Sequence, residues 1–421
     1  MTATRRRFLF ELAAVTAALP AVTALVEATD AFEEHVRATD PMSLSDAYSL
    51  AKGVGYLNHA SIGTIPTAVQ EAHQKYLSTC ESNPWLHMWG GVWDPLREEV
   101  RGLAARRLHC TTDEIAITRN TTEGFNLLAQ GLPLGTGDEV VFSSLNHVGA
   151  SACWSAQAKR RGFTVRSWDF PVDRVPTLDE DAVVALHTRQ ITERTRVLCL
   201  PEIDNLVGLR LPIARIAKAA RSKGVRWIAV DGAQALGMVP VDVTAQGIDF
   251  YAASPHKWIQ CPKGLGLFYA RSAAQKDLAP MIMTWGQDRW KGSARTFEDY
   301  GTRDLPALLA LGDALRFQTR LDDSRAKTYA SLRGHCREHV ADHPKLTWCS
   351  AGDPRLAASL HAVGIEGTAA PAVADRLFKK HGFVVRPFRT AGLNALRVSP
   401  NLVNTRDELT RFFGALAKAL A

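Results

Sequence analysis

Two residues have the type and spacing to do chemistry together. Asp231 follows the apolar run WIAV and opens DGAQALG, and Lys257 comes 26 residues later in SPHKW, directly after DFYAA. Short runs of this composition read as buried strands. Side chains at the carboxyl ends of neighbouring parallel strands face one crevice, the place where open α/β sheets bind ligands. An amine and an acid there suit pyridoxal 5′-phosphate: its aldehyde needs a lysine, its ring nitrogen an acidic partner, and its phosphate hydrogen-bond donors. Alone, Asp231 would be an ordinary helix cap and Lys257 a solvated lysine; their joint placement points to a site. Lys263 in CPKG is the rival amine, but it sits in a Pro/Gly turn without the Ser-x-His that precedes Lys257.

Such a pair needs a parallel sheet to hold it. From about Arg119 to Phe268 short strand-like runs alternate with helical patterns, the signature of βαβ units. Strands are expected at Glu139–Ser143, Thr164–Trp168, Arg196–Leu200, Arg226–Val230, Asp249–Ala252 and Gly266–Tyr269. Helices are expected at 148–161 and 212–223, the second with Pro212 in its first turn. Residues 44–303 then form a large α/β domain. A smaller α+β domain spans 304–421 and is completed by residues 44–60. Trp85, Trp89 and Trp93 fall at helical spacing, which reads as core or interface packing.

Composition narrows the alternatives. The 421 residues are 46% hydrophobic and 22% charged, enough for a large folded core. The net charge of +7 is spread along the chain without basic blocks and interleaved aromatics, so no nucleic-acid partner is expected. Gly-x-x-x-x-Gly-Lys, Gly-x-Gly-x-x-Gly and His-Glu-x-x-His are all missing, and none of the seven Cys sits in a Cys-x-x-Cys pair. Nucleotide-binding, zinc-protease and metal readings lose their support. The segment TRRRFLFEL at 4–12, an apolar run to about Val26, and small residues near Ala28 and Ala31 resemble a twin-arginine export signal over residues 1–31. Periplasmic or secreted localisation through the twin-arginine machinery follows, without stable membrane insertion, because Glu11 and Pro20 interrupt too short an apolar stretch.

Eight ordered motifs carry a wider resemblance: YLNHAS at 56–61, TRNTTEGFN at 118–126, NHVGA at 146–150, DNLVG at 204–208, DGAQA at 231–235, SPHKW at 254–258, GTRD at 301–304 and LRVSPNLVNT at 396–405. In this order the chain resembles the class V aminotransferases of fold-type I pyridoxal-phosphate enzymes, and within them the isopenicillin N epimerase-like branch. The resemblance implies a large domain with a mostly parallel seven-stranded sheet and a smaller C-terminal α+β domain. It implies that Lys257 carries the cofactor as an internal aldimine, that Asp231 pairs with the ring nitrogen, that Gln234 bonds the ring hydroxyl oxygen, and that His147 stacks on the ring. Thr121, Thr122, Ser254 and His256 would hold the phosphate. Thr302 would reach the phosphate of a neighbouring subunit, making a homodimer part of the site. Asn205 and Arg397 would bind a substrate carboxylate, with Arg386 and Arg389 as competitors for that role.

The chemistry that follows is removal of the Cα proton of an amino acid, free or peptide-borne, by Lys257 as general base. It then forks into transamination, epimerisation or β-elimination, and transamination is the expected branch. Desulfurases of the family place a nucleophilic Cys near the carboxylate-binding Arg, whereas VVRPFRTAGLNALR at 384–397 contains none and the last cysteine is Cys349. Epimerisation would need an acid on the opposite ring face, where His147 is the one candidate. A protein that keeps the fold only to bind a ligand would show a degenerate site; lysine, acid, histidine and phosphate donors are all present here.

Overall fold

The computed structural model describes residue 44 and residues 46–421; the export-like segment lies outside them. In chain order the main elements are α1 (Thr67–Ser82), α2 (Asp94–Leu108), β1 (Ile115–Thr118), α3 (Thr121–Gly131), β2 (Glu139–Ser143), α4 (Val148–Arg161), β3 (Thr164–Trp168), β4 (Thr195–Pro201), α5 (Ile213–Ser222), β5 (Trp227–Asp231), β6 (Phe250–Ala253) and β7 (Gly266–Ala270). There follow α6 (Leu305–Thr319), α7 (Asp322–Ala341), β8 (Leu346–Trp348), β9 (His361–Ile365), α8 (Ala370–His381), β10 (Arg386–Thr390), β11 (Leu393–Val398) and α9 (Arg406–Leu420).

The large sheet has seven strands in the order β1-β7-β6-β5-β4-β2-β3. It is parallel except for β7, which runs antiparallel to both β1 and β6. Strands β2, β4, β5 and β6 are apolar along almost their whole length because helices cover both faces. β3 at the edge, TVRSW, keeps polar residues toward solvent. One strand, β1, precedes the region in which the sequence pattern placed the sheet: IAIT is too short to register alone and is defined by its pairing with β7.

Local chemistry sets the helix ends that matter for the crevice. Asn120 caps α3, its Oδ1 accepting from the Glu123 N–H at 2.9 Å, and the Glu123 carboxylate in turn accepts from the Arg119 N–H at 2.6 Å. His147 caps α4, and Gly162 ends it in the left-handed region at φ 81°. Pro212 is the residue before the first turn of α5 rather than within it.

The smaller sheet is antiparallel, in the order β10-β11-β9-β8, with α8 against its strands and α9 against α7 and α8. The N-terminal stretch joins it: Gly55–Tyr56 pairs in parallel with Phe383–Val384, and the His59 N–H donates to the Ser399 carbonyl at 3.3 Å. Helix α6 packs on α1 and α2 of the large layer before the chain passes into α7. The tryptophans expected to share a stripe are split: Trp93 is core, while Trp85 and Trp89 are exposed, because the helix Pro84–Met88 ends between them. No helix among the described residues is long and apolar enough to cross a membrane.

Candidate active site

The strand order reverses between β2 and β4, and a crevice of about 300 Å³ opens there, outside the carboxyl ends of β2, β4 and β5. Asp231, the last residue of β5, is buried, and its Oδ1 accepts the Ala233 N–H at 2.9 Å. Burial raises its pKa, opposed by the positive charge of Lys257. Lys257 follows β6 and is drawn down to about 8, chiefly by burial; Asp231 opposes the shift, and Arg397 and Arg386 add to it. An amine in that range is partly neutral near physiological pH, as a nucleophile or base requires. Its backbone is clamped: the Gly63 N–H donates to the His256 carbonyl at 3.0 Å, and a Cβ on Gly63 would lie 2.1 Å from the Lys257 carbonyl oxygen. Only glycine lets the segment after YLNHAS pass so close.

Gln234 is locked from two sides. Its Nε2 donates to the Ala60 carbonyl at 2.9 Å, and its Oε1 accepts from the Trp258 Nε1 at 2.8 Å. One amide hydrogen remains for the crevice. His147 Nδ1 accepts the Gly149 N–H at 3.1 Å. Burial lowers the pKa of this imidazole and Lys257 lowers it further, opposed by Asp231.

The helix N-termini of α3 and α4 meet at one end of the crevice. The Ser254 Oγ accepts the Thr121 N–H at 3.0 Å and lies 2.8 Å from the Thr121 Oγ1. A Cβ at Gly149 would come within 2.5 Å of the Thr122 Oγ1. Two N-terminal dipoles and three hydroxyls therefore converge where an anion is favoured. His256 lines the same crevice with Nδ1 buried and unpartnered, and burial, Lys257 and Lys263 bring its pKa to about 4.

Arg397, on β11, forms the other end. It is buried, donates from Nη1 to the Asn205 carbonyl at 2.8 Å and from Nη2 to Asn58 and Ser61, and leaves Nε without a partner. No carboxylate pairs with it among the described residues, and burial, reinforced by Arg386, lowers its pKa to about 9. Asn205 enters through its backbone carbonyl toward Arg397 rather than through its amide, although the residue lines the crevice.

Of the residues assigned a role at the site from the sequence, all but Thr302 line this crevice; Thr302 is exposed and outside it, and the competitor Arg389 does not line it either. Lys263 does not line it. Sequence reasoning ranked Arg386 only as a competitor, yet it lines the crevice directly across β10 and β11 from Arg397. Ser61 and Asn120 fall inside motifs but carry no role that their type or spacing reveals, and Gly149 owes its place to close packing, which no residue pattern reveals. Beyond His147 and Asn205 lies a further cavity of about 560 Å³, lined by Asn146, whose two amide atoms are buried and unpartnered, and by Phe170 and Phe388.

The donors present fit pyridoxal phosphate. The unpartnered His256 Nδ1, the hydroxyl and amide cradle at Thr121, Thr122 and Ser254, and the buried Asp231 beside a depressed lysine match its phosphate, ring nitrogen and aldehyde in turn.

A sheet in this order, with an acid ending one strand and an amine following the next, is the architecture of fold-type I pyridoxal-phosphate enzymes. The chain belongs to the aminotransferase class-V family, a family of pyridoxal-phosphate-dependent enzymes, whose model matches residues 55–412. The isopenicillin N epimerase of Amycolatopsis lactamdurans is 30% identical over 385 residues, covering 87% of this chain and 96% of its own length. A probable cysteine desulfurase of Pseudomonas aeruginosa is 30% identical over 393 residues, covering 88% and 94%. Among solved structures, the cysteine desulfurase CsdA of Escherichia coli is similar with a TM-score of 0.78 at 26% identity, over 91% of this chain and 98% of that one.

The region where desulfurases of the family carry their nucleophile is here a tight hairpin: β10 passes to β11 through Ala391 and Gly392, at φ 54° and 75°. None of the seven cysteines lines the crevice, all are unpaired, and burial raises every one of their thiol pKa values.

Proposed function

We propose that the protein is an exported pyridoxal-phosphate enzyme acting on the amino group or Cα of an amino acid, free or peptide-borne, by aminotransferase-type chemistry. The observation that carries this reading is Lys257, an amine with its pKa near 8 between buried Asp231 and the unpaired guanidinium of Arg397. Arg397 would take the substrate carboxylate on its planar fork by exchanging an Nη2 hydrogen bond to Asn58 or Ser61 for one to a carboxylate oxygen. That contact orients the substrate so that its Cα proton faces Lys257. Bound pyridoxal phosphate supplies an aldehyde for the amine and a ring that accepts negative charge from Cα. Asp231 would keep a proton at the ring nitrogen, and Gln234 and His147 would hold the ring in place.

Transamination would need a single amine base, Lys257, to take and give back the proton. Epimerisation needs a donor on the opposite face, and the one candidate, His147, holds its Nδ1 against the Gly149 N–H, with burial lowering its pKa. Epimerisation is the second reading, favoured by the full-length likeness to the isopenicillin N epimerase. β-Elimination stands third, and persulfide chemistry finds no thiol in the crevice. The cavity beside Asn146 has room for the remainder of a longer substrate.

Mass spectrometry of candidate amines, with and without a keto acid, tests the assignment. Keto-acid-dependent loss of the amine is expected; a keto-acid-independent change of configuration would replace transamination by epimerisation. We propose further that two chains share each site through Thr302 of the partner subunit, checked by sedimentation of the wild type and by cofactor retention in Thr302→Ala. Replacement of Arg5 and Arg6 by Lys should retain the precursor in the cytoplasm; unchanged fractionation would remove the export proposal.

A further inference from the structure

A second cavity, of about 850 Å³, lies among α2, α6, α7 and the Met238–Val241 turn, and it shares no lining residue with the crevice. Seven arginines and His109 line it against a single carboxylate, Asp322. That carboxylate is already committed, pairing with both Arg107 and Arg325. Arg316 is held by Glu99 and Asp313, and buried Arg325 donates to the Gly237 and Gln318 carbonyls. Arg333 donates to the Ala351 carbonyl, and burial and then Arg337 lower its pKa, a sign that positive charge is locally in excess. Arg106, Arg210 and Arg320 have no ion pair and no side-chain hydrogen bond among the described residues. Between the guanidinium groups, Met238, Val239, Val241 and Leu315 present apolar surface.

Arg106 and Arg320 reach solvent at the rim and Arg210 is half-buried, with Glu202 within electrostatic reach; cationic groups set around an apolar wall in this way are complementary to one kind of molecule. Its volume falls within the roughly 300–1,000 Å³ typical of small-molecule sites. We propose that this cavity binds an organic anion, with an apolar body against Met238–Val241 and one or more carboxylate or phosphate groups reached by Arg106, Arg210 and Arg320. Acyl carboxylates and nucleotides share this chemistry.

Calorimetric titration of the full chain, loaded with pyridoxal phosphate, distinguishes them with three probes: dodecanoate, ATP and inorganic phosphate. One of the two organic anions is expected to bind with Kd below about 100 μM and to weaken as salt rises. The double replacement Arg106→Gln/Arg320→Gln should weaken that probe at least tenfold while the cofactor absorbance band and the thermal transition stay in place. Val239→Trp, which fills the cavity without changing charge, should weaken it as well. Binding of dodecanoate alone identifies an acyl ligand, and of ATP alone a nucleotide. Absence of binding by both, binding as tight by inorganic phosphate, or binding unaffected by either variant would overturn the proposal.

Discussion

Arg101 and Arg397 are both buried, with 1% and 2% of their surfaces exposed, yet the chain treats them in opposite ways. Arg101 meets Glu298 through two hydrogen bonds of 2.7 and 2.8 Å, and despite its burial this carboxylate raises its pKa. Glu298, which burial alone would push up, is held at about 2 by Arg101 and Arg303. Arg397 has only neutral partners, and its pKa falls. The two ends of the sheet repeat the contrast among acids. Asp249, just before β6, is braced by Arg221, Arg271 and the Ile228 N–H, whereas Asp231, at the far end of β5, has no ion-pair contact. A charge that the chain neutralises itself serves stability; one left unmatched at the carboxyl ends of the strands is kept for a ligand.

The largest expected effect is at the amine. Lys257→Ala should abolish the visible absorbance of the bound cofactor and lower turnover by about 10²–10⁴-fold or more; a variant that keeps the band would remove Lys257 from the chemistry. Next, Glu298→Ala leaves buried Arg303 without an ion pair and Arg101 with Glu98 alone, and should cost about 3–5 kcal/mol in chemical denaturation. Arg397→Leu removes a cation that was never paired and leaves only hydrogen-bond partners behind, so it should cost under about 2 kcal/mol while raising the substrate KM more than tenfold. Equal losses of stability in these two variants would erase the distinction drawn above.

The third test concerns pH. With the Lys257 pKa lowered to about 8, the neutral amine that captures the cofactor predominates above pH 8 and is protonated below it. The rate of cofactor capture by the apoprotein should fall about tenfold per unit below pH 8 and level off above it. A rate still climbing at pH 10 would show an ordinary lysine. The smallest effect is steric: Gly63→Ala places a methyl group against the Lys257 carbonyl and should destabilise by about 1–3 kcal/mol, measured by thermal unfolding of the apoprotein.

Much of this architecture was legible from local pattern. The run EVVFS matched its strand to the residue, and WIAV, DFYAA and their neighbours came within one position, because a strand buried on both faces leaves a largely apolar signature; the edge strand TVRSW also matched, on its β-branched and aromatic residues. Pattern failed where the deciding contact is distant. IAIT becomes a strand through β7, about 150 residues further on, and Trp85 parts from Trp93 because Asn83 and Pro84 start a helix that ends before Trp89. Arg386 could not be ranked above Arg389 by spacing; the register that sets Arg386 opposite Arg397 places it in the crevice.

By itself the order of residues determined the inner strands of the sheet and the acid and amine that follow two of them, since each is written in a run of a few neighbouring positions. Tertiary structure alone decided which charges go unpaired. Arg397 meets Asn58 and Ser61 across more than 330 residues, and its lack of a direct ion pair among the described residues, with Asp204 acting on it only through space, follows from how the two sheets are set together. Desolvation and Coulomb interactions act through space, so the pKa values that make this crevice reactive exist only once the chain has folded around it.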